Sequence, residues 1–271
     1  MPLDLDTALA VAESLARRAG VLLCEAVQRP RQIDYKGVTD LVTDSDRACE
    51  AMIVAGLRHA FPDHGIIGEE GSKVGENVQY RWHVDPLDGT TNFAHGIPHF
   101  STSIGLSDSE GTPLLGVVYD PIRDECFTAI QGQGAFLNSK PIHVSPVLDL
   151  SHAVVSTGFP KDRWTNPDNN TRQVSQFILR AQAVARLGSA ELDLCYIASG
   201  RVEGFWEPRI YSWDVMAGLC CVLEAGGRAS NYHGTREGLF EGAEVVASNG
   251  LIHEQMLAVL NQGDAAPLPT K

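Results

Sequence analysis

The period of the apolar pattern changes twice along this chain, and the two changes limit what it can fold into. Leu5, Ala8, Leu9, Ala12, Leu15, Ala16, Ala19 and Leu22 recur every third or fourth residue, with Pro30 beyond them, which predicts an amphipathic helix. A second helix is expected near Thr43, which can cap it with Asp46 three residues on; Phe61-Pro62 ends it. After that the period falls to two. Gly65–Gly68, Arg81–Asp85, Ser101–Leu106, Leu114–Tyr119, Glu125–Ile130 and Ala135–Leu137 read as strands, separated by the turn sequences SDSEGTP, DPIRD and QGQG. From about Ser145, strand and helix alternate. Strands are expected at Ala153–Ser156, Ala183–Leu187, Glu203–Trp206 and Val245–Ala247, and helices at Asn170–Ala181, Ala190–Ser199, Val215–Ala225 and Ile252–Leu260. The chain is therefore expected to combine an N-terminal α+β part over 1–145, with an antiparallel sheet, and a C-terminal α/β part over 146–265. The boundary falls in Lys140–Ser151, which holds Pro141 and Pro146, and residues 266–271 are expected to be a frayed tail.

The 271 residues are ample for a sizeable core. Lys and Arg number 21 against 34 Asp and Glu, a net charge of −13. Such a surface argues against nucleic acid and anionic lipid, which bind mainly through Lys and Arg. If the ligand is itself anionic, something other than net charge must attract it. No apolar run approaches the roughly 20 residues that span a bilayer. Val215–Leu223 is short and flanked by Asp214 and Glu224, and the N-terminus carries acids where a signal peptide needs bases. A cytoplasmic protein with neither nucleic-acid nor membrane partners is the expectation. The six cysteines form no CxxC and no zinc spacing, so buried free thiols are expected, the vicinal pair Cys220-Cys221 included.

Acids gather at four places: Asp40/Asp44/Asp46, Glu69/Glu70, Asp85/Asp88 and Glu207/Asp214. Singly, each has an ordinary reading as a helix cap or a solvated side chain. Context sets some of them apart. The apolar strand Gly65-Ile66-Ile67-Gly68 runs straight into Glu69-Glu70, and strand ends are where scaffolds present catalytic groups. In Trp82-His83-Val84-Asp85-Pro86-Leu87-Asp88-Gly89-Thr90-Thr91-Asn92-Phe93, Pro86 holds Asp85 extended and Asp88 follows on a turn, so two carboxylates converge from one short loop. Hard cations such as Mg²⁺ take oxygen ligands of this kind. Gly89-Thr90-Thr91 comes next: glycine permits close backbone approach, and amides that open a helix attract anions. Metal ligands followed directly by a phosphate cradle point to phosphoryl chemistry. Asp214 opens an apolar helix, and it is either that helix's N-cap or a further ligand. GxxxxGK[ST], GxSxG and HExxH are absent, and QGQGAFL lacks the third glycine of GxGxxG. His95 and His99 have Gly96 and Pro98 between them, which disfavours a helical metal pair.

In order along the chain, DLVTDSD at 40–46, GEE at 68–70, DPLDGTTNF at 85–93, GAFLNSKPI at 134–142, LGSAELDLCYIASG at 187–200 and WDVMAGLCCVLEAGG at 213–227 resemble the motifs of the inositol monophosphatase family, in the lithium-sensitive, Mg²⁺-dependent phosphatase superfamily. The resemblance covers nearly the whole chain. It implies a layered αβαβα sandwich and a homodimer. It implies metal ligation by Glu69, Asp85, the Leu87 carbonyl, Asp88 and Asp214, with Asp85 bridging two ions and a weaker third Mg²⁺ beside Glu69. Gly89 and Thr90 correspond to the phosphate cradle, and Thr90 and Asp46, with Glu69, to the groups that orient the attacking water. Asp88, Gly188, Ser189, Ala190, Glu207 and Asp214 correspond to substrate contacts, and Lys36 to a basic residue at the site's edge. Ser189 stands where Thr is common, and Arg209 adds a cation beside Glu207. That arginine suits either a second anionic group on the substrate or a surface or dimer contact.

The activity implied is hydrolysis of a small phosphorylated alcohol or sugar, inositol-1-phosphate first, by in-line attack of water with no phosphoenzyme, and inhibited by Li⁺. The same chemistry serves fructose-1,6-bisphosphate, 3′-phosphoadenosine phosphate, NADP or histidinol phosphate. A different class of function, a non-catalytic partner of the transcription or ribosome assembly machinery, would not need all of Glu69, Asp85, Asp88 and Asp214.

Overall fold

Asp4 caps the first helix. Its carboxylate accepts the amides of Asp6 (3.1 Å) and Thr7 (3.2 Å), and α1 runs over Leu5–Ala26. The computed structural model describes residues 3–27, 33–35, 41–75, 78–239 and 244–262, so Lys36, Asp40 and the tail 266–271 lie outside the described residues. α1 buries Ala8, Ala12, Leu15, Ala16, Ala19 and Leu23. Leu22, expected on that face, is 41% exposed, and Leu23, four residues after Ala19, takes its place because the helical turn carries position 22 round to solvent. Two short strands, β1 (Ile33–Tyr35) and β2 (Leu41–Thr43), pair antiparallel and lead into α2 (Asp44–Ala60).

The next elements build the first sheet. They are β3 (Gly65–Gly68), β4 (Lys73–Val74), β5 (Tyr80–Asp88), the short helix α3 (Thr90–His95), β6 (Ser101–Asp108), β7 (Pro113–Asp120), β8 (Glu125–Ile130), β9 (Gly134–Leu137) and β10 (Lys140–Ile142). Their order across the sheet is β10-β9-β8-β7-β6-β5-β3-β4. The sheet expected to be antiparallel carries one parallel pair: β3 hairpins outward to β4, so β5 joins β3 on its other edge running the same way. β10 occupies the first residues of the stretch read as a boundary. β6 and β7 are buried almost end to end, because helices cover both faces of the sheet.

The rest of the chain alternates. β11 (Val154–Thr157), α4 (Thr171–Ile178), β12 (Ala183–Ala185), α5 (Ala190–Ala198), β13 (Gly204–Glu207), a one-turn 3₁₀ segment (Ser212–Asp214), α6 (Met216–Glu224), β14 (Arg228–Ser230), β15 (Val245–Ser248) and α7 (His253–Leu260) follow in order. The second sheet runs β12-β11-β13-β15-β14, with β11 parallel to both of its neighbours. Five layers result. α1 and α2 cover one face of the first sheet, α5 and α6 lie between the two sheets, and α4 and α7 cover the far face of the second. This is the αβαβα sandwich the family resemblance implies.

α6 is apolar all round because sheets press on it from both sides: Met216, Ala217, Leu219, Cys220, Cys221 and Val222 are all buried. It lies directly on the backbone of the first sheet at Gly105 and Gly116, which face each other in register on β6 and β7. A Cβ on Gly105 would stand 2.7 Å from Met216 Cγ, and one on Gly116 would run into the Ala217 main chain. All six cysteines are free thiols. Five are buried, and burial pushes the Cys49 and Cys126 thiols up to about 12. Among the described residues no helix is long and apolar enough to cross a membrane.

Candidate active site

Parallel pairing of β3 with β5 brings the two ends of those strands together. The Glu69 amide donates to the Val84 carbonyl (3.2 Å), so Glu69 and Asp85 emerge side by side. The turn that carries Glu69 is fastened from below by Glu50 of α2, a buried carboxylate that accepts the amides of Glu70 (2.7 Å) and Ser72 (3.0 Å). β5 then slips register between Asp85 and Asp88. Pro86 supplies no amide, the Leu87 amide donates to Asp85 Oδ1 (2.9 Å), and the Thr90 hydroxyl donates to the Leu87 carbonyl (3.1 Å). Gly89 sits in the left-handed region, φ 92°, and a Cβ there would lie 3.1 Å from the His99 carbonyl and 3.2 Å from that of Gly188.

Asp214 arrives from the second half of the molecule, on the 3₁₀ turn ahead of α6, where its Oδ2 accepts the Tyr211 amide (2.9 Å). One carboxylate oxygen from each of Glu69, Asp85 and Asp214 lies within 4.8 Å of the other two. Burial, and then the like charges of Glu69, Asp88 and Asp214, push the Asp85 carboxyl well above the usual carboxylate range, and burial with the Glu69 charge does the same to Asp214. Asp88 stands beside this cluster with its oxygens turned to the start of α5, accepting the Ser189 hydroxyl (2.5 Å) and the amides of Glu191 (2.8 Å) and Ala190 (3.2 Å). Burial outweighs those hydrogen bonds and lifts Asp88 to about 6. The donor set, several crowded carboxylates with the Leu87 carbonyl beside them, suits a hard divalent cation.

The cluster opens into a cleft of 430 Å³. Leu87, Asp88, Gly89, Thr90, Gly188, Ser189, Ala190, Glu207 and Arg209 all line it, with Glu69, Asp85 and Asp214 at its floor. Asp46 is buried in the first turn of α2 and is not among the cleft-lining residues described. Arg209 holds a left-handed conformation, φ 56°, and gives its guanidinium to Asp162 (2.7 Å) and the Asp168 carbonyl (2.8 Å), tying down the loop between β11 and α4. That loop supplies side chains the motifs did not indicate: Lys161 Nζ lies 3.1 Å from Glu69 Oε1, and Arg163 lines the cleft. Arg186 does so too, one residue ahead of the LGSAELDL motif; its place next to Gly188 was the available signal.

Glu207, like Asp193 beside it in the cleft lining, is a strongly perturbed acid. Burial pushes its carboxyl up to about 8; the Asp88 charge adds to the rise, while Arg186 and Lys161 oppose it. The fold therefore favours the protonated form, and ionising Glu207 costs stability as pH rises from its ordinary 4.5 towards 8. Glu207→Gln should match the wild-type thermal midpoint at acid pH, gain over it through that interval and hold the gain above it. Differential scanning fluorimetry across pH checks this, and an offset independent of pH would contradict it.

A model of the inositol monophosphatase family matches residues 4–265. The chain is 41% identical over 259 residues to the Nus factor SuhB of Pseudomonas aeruginosa, covering 93% of this chain and 95% of that protein. It is 41% identical over 261 residues to the inositol-1-monophosphatase of Synechocystis sp., covering 96% of this chain and 90% of that one. The solved structure of inositol monophosphatase from Anabaena (Nostoc) sp. PCC 7120 superposes with a TM-score of 0.87 at 40% identity, over 95% of this chain and 96% of that chain.

Proposed function

Because this chain belongs to the inositol monophosphatase family, whose members are phosphoric monoester hydrolases, we propose that it hydrolyses inositol-1-phosphate to inositol and phosphate with Mg²⁺. The observation that carries the reading is the convergence of Glu69, Asp85 and Asp214 at the floor of an open cleft. Carboxylates so close destabilise one another unless a cation joins them, and a pure binding protein would not need all of them. Glu69, Asp85, Asp88, Asp214 and the Leu87 carbonyl would hold two or three Mg²⁺, which screen the phosphate charge, acidify bound water and stabilise the leaving alkoxide.

The chain's own residues do the rest. Glu69 and Thr90, backed by Asp46, orient the attacking water in line with the leaving oxygen. The amides of Gly89 and Thr90 receive the phosphate oxygens, and the absent side chain of Gly89 leaves them room. Gly188, Ser189, Ala190 and Glu207 receive the alcohol; a protonated Glu207 can donate to a hydroxyl as well as accept from one. Asp88 links the two tasks, joining the metal-binding loop to the helix start that carries Ser189 and Ala190. The working form is a cytoplasmic homodimer inhibited by Li⁺.

A second reading keeps the chemistry and changes the substrate. Arg163, Arg186 and Lys161 in the cleft lining favour a ligand with a second anionic group, such as fructose-1,6-bisphosphate, 3′-phosphoadenosine phosphate or NADP; histidinol phosphate, which carries an ammonium and an imidazole in place of a second anion, fits that lining less well. Phosphate release by the purified protein from each of these and from inositol-1-phosphate, in Mg²⁺, in EDTA and with added Li⁺, separates the readings. The fastest turnover is expected on inositol-1-phosphate, lost in EDTA and depressed by Li⁺. No turnover on any substrate would end the phosphatase reading, equal turnover in EDTA would end the metal reading, and preference for a bisphosphate would promote the second substrate class.

A further inference from the structure

Alternate residues of a strand share a face, so His83 and Asp85 on β5 project to the same side of the first sheet. The 3₁₀ turn repeats the interval, with Ser212 two residues ahead of Asp214. Between these two pairs the structure places a direct bond. His83 Nδ1 lies 2.9 Å from Ser212 Oγ, and the other ring nitrogen, Nε2, lies 3.0 Å from Ser107 Oγ on β6. His83 and Ser212 are each 6% exposed. One step closer to the cleft, Ser103, the register partner of Asp85, donates to the Trp213 carbonyl (3.3 Å). Neither His83 nor Ser212 is among the residues lining the active-site cleft; both border a separate cavity.

We propose that His83 is a positioning residue: through Ser212 it sets where Asp214 stands relative to Asp85, and so sets the affinity of the Glu69–Asp85–Asp214 cluster for a divalent cation. This rests on the metal-dependent reading above. The turn bearing Asp214 is a single turn whose own bonds, Asp214 to the Tyr211 amide and carbonyl and the Val215 amide to the Ser212 carbonyl (3.4 Å), are all local, so what fixes it against the sheet is its contacts with β5 and β6, the His83–Ser212 bond among them. A ring held at both nitrogens cannot rotate, and a serine hydroxyl either donates or accepts, so one tautomer of an uncharged imidazole satisfies both bonds. A metal cluster tolerates about 0.5 Å of ligand displacement before its affinity suffers, which is the scale on which a lost hydrogen bond lets a turn drift.

The test measures Mn²⁺ binding to the full-length protein by electron paramagnetic resonance, with thermal midpoints in EDTA as the check on folding. Ser212→Ala removes the bond with little change in volume and should weaken Mn²⁺ binding about tenfold, the range seen when outer partners of metal ligands are removed. His83→Asn and His83→Gln decide between positioning and mere packing. The Asn amide reaches the place of Nδ1 and can still hold Ser212, whereas Gln reaches the place of Nε2 and can hold only Ser107. His83→Asn should keep the wild-type affinity within about threefold, His83→Gln should lose as much as Ser212→Ala, and the double variant His83→Gln/Ser212→Ala should lose no more than either single one. Equal affinities for the Asn and Gln variants, losses that add in the double variant, or unchanged binding in Ser212→Ala would each overturn the positioning role while leaving the metal reading intact. If the histidine variants do not fold, Ser212→Ala alone decides. A wild-type protein that binds no Mn²⁺ would overturn the metal reading itself, and this role with it.

Discussion

Asp85→Asn is expected to cut phosphate release by about 10³-fold or more while leaving the thermal midpoint of the metal-free protein unchanged or higher. The two halves of that expectation have one cause. Asp85 is 2% exposed and crowded by Glu69, Asp88 and Asp214, so its charge is held in place against burial and repulsion. Asparagine keeps the shape and keeps an oxygen to accept the Leu87 amide. What it removes is the charge, and with it one of the three carboxylates that converge at the floor of the cleft to hold the proposed cation. A metal's contribution to a phosphoryl transition state is several kcal/mol, and about 4 kcal/mol corresponds to about a thousandfold in rate. A second readout needs no turnover. A cation that binds only the folded protein raises its thermal midpoint by mass action, so Mg²⁺ should stabilise the wild type and stabilise the variant much less. A variant within tenfold of wild-type turnover, or one stabilised equally by Mg²⁺, would rule out this role for Asp85.

Gly116→Ala is expected to destabilise the fold by about 3 kcal/mol or more, roughly a 10 °C fall in the thermal midpoint. In a strand interior this substitution ordinarily helps, because alanine has less backbone entropy to lose than glycine. Here the sign inverts. The added methyl would enter the main chain of Ala217, and neither a strand in mid-sheet nor a helix between two sheets has a side chain to rotate out of the way. α6 would have to lift from β7, opening the apolar cluster in which Leu219, Cys221 and Val222 are buried. Calorimetry in EDTA measures the effect free of metal, and a variant as stable as the wild type would show that α6 does not rest on the sheet backbone.

The parts of the molecule legible in the sequence are those governed by local period. α1, α5 and α6, and the interior strands β5 to β8, fall where apolar spacing places them, and Glu69 and Asp85 stand out because each follows an apolar strand, Asp214 because it opens an apolar helix. What was not legible depends on contacts between distant segments. The parallel pairing of β3 and β5 follows from which edge of β3 is left free after β4 forms, and no local pattern records that. Lys161 lies in a loop without periodicity; it reaches Glu69 because Arg209, nearly fifty residues on, ties down Asp162 beside it. Asp88 looks from its spacing like a twin of Asp85, yet the register slip at Pro86 turns its oxygens to the start of α5. Nothing in the sequence around Glu50 singles it out, and only the folded chain shows it holding the turn that presents Glu69.

The order in which the chain is made gives the separation of the three converging acids a further meaning. Glu69 and Asp85 ride on the first sheet, which is complete by Ile142, whereas Asp214 comes just ahead of α6, the helix that must seat itself on Gly105 and Gly116. A growing polypeptide therefore carries two of the acids long before the third is synthesised, and a fragment ending short of α6 has no means of closing the trio. Domains fold as units during synthesis, so the full donor set exists only once both halves have met. On the metal-dependent reading, a truncated or half-docked product would lack the complete donor set.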